Sequence, residues 1–192
     1  QLAKKYFQEI KNLPKKDIWT LSEELWRSGF LEESFIACQW SYALHKNYEP
    51  QDFKLFTKWI NSYINNWASC DTFCNHTIGS LVEQYPDFIS ELKKWTQSKN
   101  RWLRRAAAVS LIVPAKKGKF LKEALQISDS LLLDSEDLVQ KGYGWLLKVA
   151  SQPHQAQVFA YVMKNKNQMP RTALRYAIEK MPQSLKLQAM KK

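Results

Sequence analysis

Three short segments concentrate the side chains able to do chemistry: Asn66-Trp67-Ala68-Ser69-Cys70-Asp71, Arg101-Trp102-Leu103-Arg104-Arg105-Ala106-Ala107 and Val139-Gln140-Lys141-Gly142-Tyr143-Gly144-Trp145. A carboxylate such as Asp71 stabilises positive charge developing beside it. An indole face such as that of Trp67 or Trp145 attracts a cation, and an arginine such as Arg105 grips a phosphate through paired hydrogen bonds. Each segment also has a plain structural reading. Trp67 and Trp145 serve as core knobs, Asp71 caps the helix it begins, Arg104 and Arg105 form a solvated face, and Gly142 and Gly144 permit close helix packing.

Other chemistries are set aside by what the chain lacks. It has no G-x-G-x-x-G, P-loop, H-E-x-x-H or G-x-S-x-G element, so nucleotide-binding and hydrolase motifs of those kinds drop out. Cys70, Cys74 and His76 make a C-x3-C-x-H spacing, with Cys38 the one further thiol and three histidines in all. Two cysteines four apart suit a buried helix face better than a metal site, so no metal and no cofactor are expected. His45 and His154 have no neighbour that would make them bases and fit surface or cap positions.

The elements that must position these residues are helices. Apolar positions recur three and four apart in segments of roughly 10 to 16 residues, and strand-like alternation is nearly absent. The pattern predicts helices that include Asp71–Gln84, Arg101–Val113 and Glu136–Ser151. Gly29 stands at a helix stop, Asn100 and Ser135 at N-caps, and Pro170 in a first turn. Pairs of short helices recurring at roughly 35 to 45 residues predict an all-α fold: an α-solenoid of stacked antiparallel HEAT-like pairs with a concave basic groove. The 192 residues, 45% hydrophobic and 13% aromatic with 8 Trp, suit a single domain over residues 1–192. No apolar run is long enough to span a membrane. Three cysteines and the lack of a leader point to a cytoplasmic, monomeric protein with no membrane partner.

The net charge of +11 is unevenly spread. Residues 1–96 carry 11 Lys/Arg against 12 Asp/Glu, and residues 97–192 carry 18 against 6. A half so positive favours a polyanionic partner.

Taken together and in this order, the three segments resemble the AlkD-like family of HEAT-like-repeat DNA glycosylases, which remove alkylated purines from DNA. That family's W-x-x-x-D element corresponds to Trp67 and Asp71, its W-L-x-R-A-A element to Arg105, and its Q-K-x-x-G-W element to Trp145. Glu24-Leu25-Trp26 and Tyr85-Pro86-Asp87 also fall into line, while Ala68 and Lys99 depart from the residue types common at their positions. The resemblance implies a double-stranded DNA partner, alkylated or distorted, and association with the bacterial nucleoid when bound. It assigns Asp71 as catalytic, Trp67 and Trp145 as nucleotide-contacting, and Arg105 as the phosphate ligand. Arg104, Arg101, Lys99, Lys116, Lys117, Lys119 and Lys141 supply further phosphate contacts.

The chemistry so implied is economical. An N3- or N7-alkylated purine is already cationic and leaves as a neutral base without protonation, so the protein has to stabilise the oxocarbenium-like sugar. One carboxylate does that and orients the attacking water. The family's glycosylases begin with a further helix pair beside the groove, and this chain starts after the corresponding point, which implies weak or absent excision. The alternative is a fully active alkylpurine glycosylase. Two other readings stand beside these: a module that binds DNA by backbone contacts and shape without excision, and a solenoid whose groove takes an acidic peptide.

Overall fold

The computed structural model describes residues 2–191, and among the described residues every regular element is helical. The chain divides into two compact units, one through Tyr85 and one from Pro86 onward.

The first unit contains α1 (Leu2–Ile10), α2 (Lys15–Arg27), α3 (Leu31–Ala43), α4 (Asp52–Ser62), α5 (Trp67–Phe73) and α6 (Gly79–Gln84), with a π-turn at Cys74–Ile78 joining α5 to α6. Gly29 ends the α2 region with φ +76°, the left-handed geometry that glycine takes without a Cβ penalty. The interior is aromatic. Trp26, Phe56, Trp59 and Phe73 are fully buried, and Phe73 meets Trp26 and Phe56 edge-on at centroid distances of 5.5 Å in each case. Such pairs add about 0.5–1.5 kcal/mol each beyond the area they bury, so Phe73 anchors α5, and with it Trp67 and Asp71, to α2 and α4.

Glu23 on α2 ties down the end of α4, from which the chain runs on to α5. Its carboxylate accepts hydrogen bonds from Lys58 Nζ (2.6 Å), Tyr63 Oη (2.8 Å), Trp59 Nε1 (3.3 Å) and Arg27 Nη2 (3.1 Å). Burial pushes this carboxyl up, but the bonds from Lys58, Tyr63 and Trp59, with the Lys58 charge, outweigh burial and hold it at about 2. A carboxyl depressed in the folded state contributes stability that is complete above its unfolded value, near 4.3, and is lost as pH falls towards 2. The contribution is on the order of 2–3 kcal/mol. Thermal melting followed from pH 5 to pH 2 is therefore expected to fall less steeply in Glu23→Gln than in the parent, with Glu23→Gln the less stable of the two at pH 7.

The second unit contains α7 (Ile89–Trp95), α8 (Arg101–Val109), α9 (Ile112–Lys116), α10 (Leu121–Ser130), α11 (Asp137–Ala150), α12 (Gln155–Asn165), α13 (Arg171–Ile178) and α14 (Gln183–Met190). Its centre is α11, packed by α8 on one side and α13 on another. The helix predicted over Arg101–Val113 is in fact two, α8 and α9, interrupted at Ser110 and Leu111. Pro114 explains the break, since it lacks the N–H that would bond back to the Ser110 carbonyl and is tolerated only in a helix's first turn. No helix is long and apolar enough to cross a membrane among the described residues.

Candidate nucleic-acid interface and active-site residues

The helix carrying Asp71 begins one turn earlier than predicted. Asn66, not Asp71, is its N-cap, with the Asn66 Oδ1 accepting from the Ser69 backbone N–H at 2.9 Å. The correction bears on chemistry, because it puts Trp67 and Asp71 four apart on one helix, hence on one face. Trp67 is 58% exposed and Asp71 half-buried. Its sequence neighbours point the other way: Cys70, Phe73 and Cys74 are fully buried. The reading of Trp67 as a core knob is thereby overturned.

Cys70 and Cys74 lie inside the first unit, and His76 is exposed. Burial pushes the Cys38 and Cys74 thiols up, which suits inert core residues. No group of three or more His, Cys, Asp or Glu side chains is arranged to hold a metal among the described residues. His45 Nδ1 lies 2.9 Å from the Tyr42 carbonyl oxygen, and His154 Nε2 lies 3.0 Å from that of Gly118.

In the second unit, Asn100 caps α8 as expected, its Oδ1 accepting from the Trp102 N–H at 2.9 Å. Ser135 does not cap α11. Glu136 is the N-cap residue, with no side-chain cap bond, and the Asp134 Oδ1 accepts from the Glu136 N–H at 2.9 Å just ahead of the helix.

The two adjacent arginines of α8 diverge. Arg104 donates from Nε to Asp134 Oδ2 at 2.6 Å and from Nη2 to Asp134 Oδ1 at 3.3 Å, and its Nη1 reaches the carbonyls of Ser98 (2.8 Å) and Lys99 (3.2 Å). Its charge is met by a carboxylate and most of its donors are engaged within the protein, which gives Arg104 a structural role beside the phosphate contact expected of it. Arg105 turns towards α11, where it is 5% exposed and its Nη1 donates to the Leu138 carbonyl.

The glycines of the third segment are packing devices. A Cβ at Gly144 would stand 2.8 Å from Tyr176 Cβ and 2.9 Å from the Ala173 carbonyl oxygen, whereas at Gly142 it would meet Arg105 Cγ at 3.4 Å and Nη1 at 3.5 Å. Both glycines are buried, in keeping with the close packing of α13 and Arg105 on α11. Gly144→Ala is accordingly expected to cost about 1–3 kcal/mol through overpacking against backbone. Gly142→Ala is expected to be neutral or to stabilise by up to about 1 kcal/mol through helix propensity. Thermal melting of the two variants checks both signs.

Trp145 and Lys141 are half-buried on α11, with Lys141 paired to Asp137 at 2.5 Å. Lys99, Lys116, Lys117 and Lys119 are exposed, as is Arg101, which pairs with Glu136 at 3.3 Å and lies over the Trp102 ring at 4.9 Å. Sequence reasoning overlooked Lys148. Its signal was available, since it falls seven residues after Lys141 and so on the same helix face.

Among the described residues the regular elements of each unit are helices; the first carries an outward indole beside a carboxylate, and the second carries most of the positive charge. An all-helical protein with that charge suits a polyanionic partner, and the comparisons with known proteins give the class as DNA repair. Residues 1–181 match the family described as DNA alkylation repair enzyme, and the chain belongs to that family. A solved structure titled "Predicted DNA alkylation repair enzyme from Enterococcus faecalis" superposes with a TM-score of 0.84 at 17% identity, covering 95% of this chain and 84% of that one; the two share a fold. No curated protein matches the sequence.

Proposed function

We propose that the protein binds duplex DNA as a monomer through its basic second unit and carries, in Asp71 and Trp67, the groups that break the N-glycosidic bond of cationic N3- and N7-alkylpurines. Membership of the DNA alkylation repair enzyme family supports a DNA substrate. The observation that carries the reading is the pairing on α5: an indole more than half exposed, one turn from a carboxylate on the same face. The ring face and the carboxylate both favour positive charge.

In the proposed reaction the carboxylate of Asp71 stabilises the sugar cation as the neutral base departs, then orients water for attack on the same carbon. Trp67 and Trp145 contact the nucleotide, and Arg105, directed by Leu138 and the bare backbone at Gly142, holds a phosphate. Lys99, Arg101, Lys116, Lys117, Lys119 and Lys141 add backbone contacts that position the duplex without reading its sequence.

The test is release of free 7-methylguanine from methylated duplex, run beside salt-titrated duplex binding. Release with binding that weakens as salt rises supports the whole reading. Salt-sensitive binding with no release makes the protein a DNA-binding relative that retains the side chains, and binding indifferent to salt removes DNA as the partner.

A further inference from the structure

We propose that Tyr176, Lys141 and Lys148 together form a second phosphodiester-binding site, set along α11 and its seam with α13; this rests on the duplex-binding reading above.

Helix geometry supplies the frame. At about 100° per residue, Gly142 and Gly144 point to opposite neighbours, Arg105 on α8 and Tyr176 on α13. Between them, Lys141, Trp145 and Lys148, spaced i, i+4 and i+7, occupy the remaining outward strip. The missing side chain at Gly144 is what brings Tyr176 against α11, since any Cβ there would collide with the Tyr176 Cβ and the Ala173 backbone. Once seated, the half-buried Tyr176 ring lies under the Lys148 ammonium, 5.5 Å from its centroid.

The phenol differs from those of Tyr143 and Tyr48 and shares its lack of a protein partner with the buried Tyr161 hydroxyl. Tyr143 donates to the Leu132 carbonyl at 2.9 Å and Tyr48 to the Ser41 carbonyl at 2.8 Å, while the Tyr176 hydroxyl has no hydrogen-bond partner among the described residues. It is a donor held by packing, beside a helix face bearing two ammonium groups. Donors of that kind converging on one face suit a phosphate oxygen.

Each lysine is met by a carboxylate that is itself open to water. Lys141 pairs with Asp137, whose side chain is 56% exposed, and Lys148 with Glu179, 49% exposed and 3.0 Å away. Pairs with one partner so open to water are weak and screened, so a phosphodiester exchanges with the carboxylates at little cost. Asp137 and Glu179 then act as competitors for the site.

Fluorescence anisotropy of a labelled duplex across a salt series tests this. Lys141→Gln and Lys148→Gln are each expected to lower the slope of log affinity against log salt by about 0.9, the share of one phosphate contact. Tyr176→Phe keeps the ring and its packing, so its melting temperature stays at the parent value. Its affinity is expected to fall about three- to tenfold at every salt concentration with the slope unchanged, because a lost neutral hydrogen bond releases no counterion. Glu179→Gln and Asp137→Asn are expected to tighten binding about two- to fivefold. Parental affinity in Tyr176→Phe, or a parental slope in Lys148→Gln, overturns the site. Displacement of duplex by inorganic phosphate beyond that by chloride at equal ionic strength also overturns it, in favour of a free-anion site. Failure of the duplex reading itself is distinguishable, since it appears as salt-independent binding by the parent chain.

Discussion

Asp71→Asn is expected to bring release of 7-methylguanine from methylated duplex down to the level of spontaneous loss, while duplex binding stays the same or tightens slightly. The substitution keeps shape and hydrogen-bonding reach but removes the charge that faces the sugar cation. With a leaving group that is already cationic, no acid is needed at the base, so no other carboxylate shares the work. The sign on binding follows from the same charge: a carboxylate near a polyanion repels it, and its removal helps association if it changes association at all. Loss of rate without loss of affinity marks an interaction made only in the transition state. Trp67→Ala is the contrasting change, since an indole face contacts the nucleotide before and during bond cleavage; a smaller rate loss accompanied by weaker binding is expected there. Quantifying released base by chromatography alongside duplex anisotropy checks both, and an Asp71→Asn protein that excises at the parental rate would reject Asp71 as the catalytic group.

How far the sequence alone reveals this site depends on the range of the interactions involved. The all-helical fold was legible because apolar spacing is a local signal, and the cap at Asn100 was legible because its partner, the Trp102 N–H, is two residues away. The start of α5 was not. Asp71 has the residue type of a cap, and the preceding Asn66 competes for the same role; what decides is the docking of Cys70 and Phe73 into the aromatic interior, which a linear pattern does not contain. The same holds for the neighbouring arginines of α8. In sequence they are equivalent, but one helical step of about 100° sends Arg104 to Asp134, thirty residues on, and Arg105 to Leu138. Gly144 was ambiguous for a related reason: a missing side chain admits either a helix or a ligand, and only the position of Tyr176 and Ala173 tells which.

Asp134→Ala is expected to destabilise the second unit by about 3 kcal/mol, the cost of stranding a charge that had a partly buried partner. For a unit of this size that lowers the melting temperature by on the order of 10–15 °C. Two losses combine. The Arg104 guanidinium, whose side chain is 16% exposed, loses a two-pronged carboxylate that is itself 7% exposed, and the Glu136 N–H at the entry to α11 loses its acceptor. Removing the arginine instead, with Arg104→Met, leaves Asp134 bonded to the Glu136 N–H but strands a carboxylate only 7% exposed, so a comparable loss is expected. The pair also sets function, because it joins the segment before α11 to α8, and those two helices carry Trp145 and Arg105. Slackening that join lets the guanidinium of Arg105 and the indole of Trp145 drift from a shared geometry, and displacements of this kind are costly to catalysis far from where they originate. Asp134→Ala is therefore expected to weaken duplex binding at temperatures well below its melting point, a result that separates a positioning role from global unfolding. Calorimetry paired with anisotropy at a temperature where the variant is fully folded measures the two effects independently, and an Asp134→Ala protein with parental melting would show that the Arg104 charge is accommodated without its partner.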